Sequence, residues 1–116
     1  SAVIEGNTCE KNTSSGITLL SDAAVTVRDN ECSQNGLHGI SLDGQADAVV
    51  ELNTCVSNTD AGIGFFGNSR GTARNNECSG NKFGIYVETS ATPTIESNNN
   101  LHGNSTNPQL YDKRLP

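Results

Sequence analysis

The stretch Asn30-Glu31-Cys32-Ser33-Gln34-Asn35-Gly36-Leu37-His38-Gly39-Ile40 sets a frame that recurs along the chain. Asn7, Cys9, Asn12, Gly16 and Ile17 precede it in the same order, and Asn53, Cys55, Asn58, Gly62 and Ile63 follow. A fourth copy runs through Asn76, Cys78, Asn81, Gly84 and Ile85, one residue short between Asn81 and Gly84. Cys9, Cys32, Cys55 and Cys78 therefore stand 23 residues apart throughout. A fixed period of this length marks a solenoid, in which one repeat buries its apolar face only by stacking on the next.

The period is filled by strands. No window carries apolar residues at i, i+3, i+4 and i+7, and the abundant Gly, Asn and β-branched residues are poor helix formers. Alternating runs precede each leading Asn: Val25-Thr26-Val27-Arg28, Ala48-Val49-Val50-Glu51, Gly71-Thr72-Ala73-Arg74 and Pro93-Thr94-Ile95-Glu96. Others follow each Gly: Ile17-Thr18-Leu19, Ile40-Ser41-Leu42, Ile63-Gly64-Phe65 and Ile85-Tyr86-Val87. A third short segment centres on each Cys. Three strands per 23 residues, separated by Asn or Gly corners, make one turn of a parallel β-helix.

Turns of such a helix lie ~4.7–4.9 Å apart, so equivalent residues stack in columns. The expected inward columns are Ile17, Ile40, Ile63, Ile85; Leu19, Leu42, Phe65, Val87; Ile4, Val27, Val50, Ala73, Ile95; and the four cysteines. Asn7, Asn30, Asn53, Asn76 and Asn98 mark one corner, and Asn12, Asn35, Asn58 and Asn81 another. Asn tolerates the left-handed backbone of a tight bend, and stacked amides can bond along a column. Gly16, Gly39, Gly62 and Gly84 mark positions of positive φ or close backbone approach. On the outside, Glu5, Arg28, Glu51, Arg74 and Glu96 alternate in sign at every step, which favours this register over one that stacks like charges. Coils one and three share N-T-C and coils two and four share N-E-C-S, which points to duplication of a two-coil unit.

The frame N-x-C-x-x-N-x-x-x-G-I-x-L resembles the right-handed parallel β-helix repeats of pectate-lyase-like and mannuronan C-5-epimerase-like proteins, a carbohydrate-binding and sugar-hydrolase repeat class. The resemblance covers about residues 3 to 104, with Cys where an aliphatic residue is usual. It implies an all-β, single-stranded right-handed solenoid of about four to five coils. Right-handedness follows from the resemblance and from the hand preferred by parallel crossovers. Residues 1–104 are expected as repeats and 105–116 as an irregular tail or cap. Such repeats serve lyases, epimerases, hydrolases, adhesins and non-catalytic scaffolds, so the fold alone does not choose a function.

Composition narrows the partners. With 13 acidic and 7 basic residues the net charge is −6. Nucleic acid and anionic membrane reward Lys and Arg clusters, which are missing, and no apolar run reaches the roughly 18 residues of a membrane helix. The chain starts at Ser1, in mid-pattern and without Met, leaving room for a leader or further coils outside it. Extracellular or cell-surface use is what the resemblance implies, whereas four free thiols would favour a reducing interior.

The candidate chemistry is sparse. The cysteine column reads first as core filler, with vertical disulfides as an alternative; a tetrahedral zinc site fits least, because a column is a straight line. The epimerase-type D-P-H-D motif is absent. Polar candidates beside the G-I-x-L strands are Asp43, Glu88, His38 and Asp60, with Arg70 in a neighbouring turn. Asp43 and Glu88 share an outward column but lie two rungs apart, about 10 Å, wide even for an inverting glycosidase. Phe66 and Tyr86 face outward on adjacent rungs, where they can stack on sugar rings or bury against another subunit. Asn12-Thr13-Ser14 and Asn104-Ser105-Thr106 fit the glycosylation acceptor pattern, which chance also produces in an Asn-rich chain.

The expectation is thus a non-catalytic module, a rigid spacer or polysaccharide-contacting surface, with binding residues Phe66, Tyr86, Asp43, Glu88 and His38. No catalytic residue, cofactor or metal ligand is assigned, and Ca²⁺ enters only if the module is carbohydrate-active. The alternatives are a fragment of a polysaccharide lyase or uronan epimerase, and an interaction scaffold. Because both ends of a solenoid expose unpaired strand edges, end-to-end self-association is also expected.

Overall fold

A computed structural model describes residues 2–20 and 24–115. The first coil holds β1 (Ala2–Glu5), β2 (Thr8–Glu10) and β3 (Ile17–Leu19); the second holds β4 (Ala24–Arg28), β5 (Glu31–Ser33) and β6 (Ile40–Leu42). The third holds β7 (Asp47–Glu51), β8 (Thr54–Val56) and β9 (Ala61–Phe65), and the fourth β10 (Arg70–Arg74), β11 (Glu77–Ser79) and β12 (Phe83–Val87). The fifth holds β13 (Thr92–Ile95), β14 (Asn100–His102) and β15 (Leu110–Asp112). Every strand pairs with its counterpart one coil away, giving three parallel five-stranded sheets: β1-β4-β7-β10-β13, β2-β5-β8-β11-β14 and β3-β6-β9-β12-β15. The chain is an all-β solenoid.

The columns fall in the expected register. Cys9 pairs with Cys32, Cys32 with Cys55, and Cys55 with Cys78; Ile17, Ile40, Ile63 and Ile85 do the same in the third sheet. Ile40, Ile63, Ile85, Leu42, Phe65, Val87, Val27 and Val50 are fully buried between the sheets. Burying each such side chain is worth about 1.5–3 kcal/mol, and together they supply the main drive to fold. The four thiols are free and pack into this core, Cys9 with partial exposure. Hydrogen bonds with Cys32 and Cys78, together with burial, hold the Cys55 thiol well above its ordinary range.

Two asparagine ladders run the length of the solenoid. In each, the backbone N–H and the side-chain amide of one Asn both donate to the Oδ1 of the Asn one coil later, as from Asn35 to Asn58 at 3.1 and 2.9 Å. The same amide donates a second proton back to a strand carbonyl of the preceding coil, as from Asn58 to Cys32 at 3.1 Å. An inward corner would otherwise bury unpaired backbone groups, and these side chains pair them.

The left-handed backbone sits one residue before every ladder position except Asn99, and not on the ladder Asn itself. Lys11, Asp29, Gln34, Leu52, Ser57 and Asn75 all have φ between 54° and 60°. The glycine column has a different cause: none of Gly16, Gly39, Gly62 and Gly84 has positive φ, but a Cβ on any of them would come within 2.6–2.9 Å of the next coil's carbonyl oxygen. Close approach of successive coils is therefore what requires glycine there.

Three details of the fifth coil differ from expectation. The coil four shortening is present, since Phe83 pairs with Ala61 and Ala73 with Ile95. The residue is restored at the next corner, where the chain takes four steps from Ile95 to Asn99 against three from Ala73 to Asn76. Asn99, not Asn98, then continues the first ladder, accepting from Asn76 at 2.9 Å, while Asn98 accepts from the backbone of Asn75. Leu101, not Asn100, takes the cysteine position beside Cys78. Finally, part of the stretch expected as an irregular tail is sheet: β15 pairs with β12, placing Tyr111 beside Tyr86. Gln109 ends the second ladder by accepting from both the backbone and the amide of Asn104, at 2.9 and 2.7 Å.

Both glycosylation-pattern asparagines belong to this ladder, Asn12 donating to Asn35 and the buried Asn104 bonded to Asn81, Cys78 and Gln109. Outside, Arg28 meets Glu5 and Arg74 meets Glu51, each at 2.9 Å, and Arg74 reaches Glu96 at 3.9 Å.

The ladder makes a graded prediction. Asn58→Ala strips partners from the backbone N–H and amide of buried Asn35 and from the Cys32 carbonyl. At ~1–3 kcal/mol per orphaned buried group, it is expected to cost about 3 kcal/mol or more, whereas Asn12→Ala, at an exposed end of the ladder, costs about 1 kcal/mol. Urea unfolding of the two variants beside the parent chain checks the difference.

Candidate functional site

The outward face of the third sheet gathers most of the aromatic side chains. The outward column here is Thr18, Ser41, Gly64, Tyr86 and Tyr111. Tyr86 and Tyr111 stack with ring planes 2° apart and centroids at 5.7 Å. Phe66 follows β9 and begins the next turn, yet its ring folds back over Gly64 and stacks on Tyr86 at 5.4 Å. Gly64 makes this overlap: a Cβ at that position would run into the Phe66 ring. Phe66 thereby fills the gap that Gly64 leaves in the column.

Phe83 joins from the side, 5.1 Å from Tyr86 and 5.2 Å from Tyr111. It reaches the sheet because coil four lacks one residue, which brings Phe83 into the register of Ala61. His38 closes the other end, its ring 4.8 Å from Phe66. The result is a continuous run from His38 through Phe66 and Tyr86 to Tyr111, with Phe83 alongside. Aromatic pairs at such distances add about 0.5–1.5 kcal/mol beyond their burial.

Between His38 and Phe83 lies an open groove of about 250 Å³ lined by His38, Asp60, Phe66, Lys82, Phe83 and Tyr86. His38 is only 7% exposed. Its Nδ1 accepts the backbone N–H of Ala61 at 3.1 Å, so the proton of the neutral ring resides on Nε2. Among the described residues nothing accepts from Nε2. Burial pushes the His38 pKa below 6.5 against the opposing pull of Asp60. The Lys82 ammonium stands over the Phe83 ring at 5.3 Å. Neither Asp60 nor Lys82 forms an ion pair among the described residues.

The remaining candidates lie apart from the groove. Glu88 accepts from the Tyr86 hydroxyl at 3.0 Å and meets Lys113 at 3.3 Å; the tyrosine's bond holds its carboxyl below the usual range. Asp43 is spent on its own turn, accepting from the Gly44 backbone at 2.7 Å. Arg70 is held by Asp47 at 3.5 Å. Phe66, Tyr86, His38 and Asp60 thus come together, Glu88 reaches the cluster only through the Tyr86 hydroxyl, and Asp43 stands outside it. Phe83, Lys82 and Tyr111 are the members that sequence reasoning missed. The missing residue before Gly84 was the available signal for Phe83, and the aromatic at Tyr111 lay inside a stretch without visible repeat.

Two predictions test this geometry. Gly64→Ala is expected to expel the Phe66 ring from the column, seen as loss of the aromatic near-ultraviolet circular dichroism signal, with a melting temperature within a few degrees of the parent because the displaced atoms are the free end of a side chain. His38, with its folded pKa below the unfolded value, contributes stability in full above pH ~6.5 and loses it as pH falls from there through the lower folded pKa. Unfolding free energy is therefore expected to decline from pH 7 to pH 5, and His38→Gln to flatten that part of the curve.

Neither a curated protein nor a solved structure matches the chain. The family model described as right handed beta helix region matches residues 1–111. Three parallel sheets, stacked columns and that match together make this chain a member of the right-handed β-helix family.

Proposed function

We propose that this solenoid is a non-catalytic module whose third sheet contacts polysaccharide. The observation that supports the reading is the aromatic run itself: Phe66, Tyr86 and Tyr111, with Phe83 beside them, span successive rungs of one flat face. A parallel sheet repeats every ~4.7–4.9 Å, so this strip offers a linear, evenly spaced surface that suits an extended chain of sugar rings better than a compact ligand. Rings supply apolar contact, while the Tyr hydroxyls and the flanking Glu88, Lys113, Asp60 and Lys82 supply orienting polar groups.

The arrangement of acids supports the non-catalytic part. Asp43 and Glu88 remain two rungs apart, about 10 Å, and each is engaged locally. A retaining or inverting pair stands closer, at about 5–9.5 Å. Arg70, the cation in the neighbouring turn, is paired with Asp47 at 3.5 Å.

Affinity electrophoresis through gels containing soluble polysaccharides tests the contact. Phe66→Ala with Tyr86→Ala is expected to abolish the retardation the parent chain shows, at least a tenfold loss of affinity; loss of self-association instead would assign the strip to a protein contact. Incubation with pectin or alginate at neutral pH with Ca²⁺ is expected to give no unsaturated-product absorbance, and a sustained rise would end the non-catalytic reading.

A further inference from the structure

Resting on the glycan-contact reading, we infer that the groove at the end of the aromatic run is a subsite for a single neutral, hydroxyl-rich sugar ring and selects against a uronate. Three of its polar groups make no hydrogen bond or ion pair among the described residues: the His38 Nε2–H, the Asp60 carboxylate and the Lys82 ammonium, which stands over the Phe83 ring. Its walls are Phe66, Phe83 and Tyr86.

Each polar group is open to a ligand. His38 is more than nine-tenths buried, but its Nε2–H keeps access to the groove and has no acceptor among the described residues, so a ligand oxygen can take the place of water there. Ala61 fixes the tautomer, so what the ring offers the groove is a neutral donor. Asp60 and Lys82 sit on adjacent coils, joined through the Asp60 carbonyl, which accepts the Lys82 backbone N–H at 2.9 Å. Their side chains nonetheless do not pair, so an acceptor and a donor face the same space separately.

Two donors and one acceptor over aromatic walls match a ring of hydroxyls, since each hydroxyl both gives and takes a hydrogen bond. A hydroxyl donating to Asp60 can sit beside others that accept from Lys82 and His38. A uronate carboxylate can only accept at neutral pH; in this groove it meets Lys82 alone as a counter-charge and faces Asp60 as a like charge, on a chain of net charge −6. The volume of about 250 Å³ lies below the ~300–1,000 Å³ of pockets that enclose drug-sized ligands, which fits one ring in place of an oligomer.

The test is calorimetric titration of the whole chain with cellohexaose, mannohexaose and hexagalacturonate, with ¹⁵N spectra of the histidine rings. At least one neutral hexaose is expected to bind tenfold or more tightly than hexagalacturonate and to shift the His38 Nε2 resonance. Asp60→Asn and His38→Gln, both near in size to the native side chains, are expected to weaken the neutral sugar fivefold or more, and Asp60→Asn to narrow the gap to hexagalacturonate. Equal or tighter binding of hexagalacturonate overturns the inference, as does neutral binding that ignores both substitutions. If no hexaose binds while whole polysaccharide is still retained in a manner sensitive to Phe66→Ala with Tyr86→Ala, the subsite falls and the contact surface stands. If nothing binds at all, both fall.

Discussion

The constraint on which this molecule depends is that every coil must pair its polar backbone with the coil before and after it. Strand hydrogen bonds do this on the faces. At the corners the two asparagine ladders do it, each Asn giving two protons forward and one back. Because the partners lie 23 residues away, a coil that lost register would orphan several buried donors at once. Apolar columns add most of the stabilising free energy, but an isoleucine tolerates small displacements that a hydrogen bond does not. The ladders therefore specify the stacking that the core then stabilises.

This division explains the left-handed residues. Lys11, Asp29, Gln34, Leu52, Ser57 and Asn75 adopt a conformation that costs an ordinary residue about 1–2 kcal/mol, and they vary in chemistry because their side chains are not what the corner needs. What the corner needs is the Asn that follows, whose amide fixes the bend from outside the strained residue. The strain is local, and the neighbouring ladder bonds hold it in place.

Fold and site were legible to different depths for the same reason. Stacking forces chemical uniformity on any column that faces inward or turns a corner, so Cys32, Ile40, Asn35 and Gly39 announce their places by repetition. The last coil was obscured where it departs from repetition, with Leu101 in a cysteine's place, an inserted residue before Asn99 and a loop before Leu110. The outward face carries no such uniformity. Phe66 and Tyr86 could be placed on neighbouring rungs, but that Phe66 would lie over Gly64, or that His38 would turn its Nδ1 to the Ala61 amide, depends on side-chain torsions that no period encodes.

The single residue absent between Asn81 and Gly84 has a wider meaning. It leaves Ile85 and Val87 in their buried columns while drawing Phe83 from a corner into the sheet, where it enlarges the aromatic surface. A change of length at that bend can thus alter which side chains the outer surface presents while Ile85 and Val87 keep their places inside.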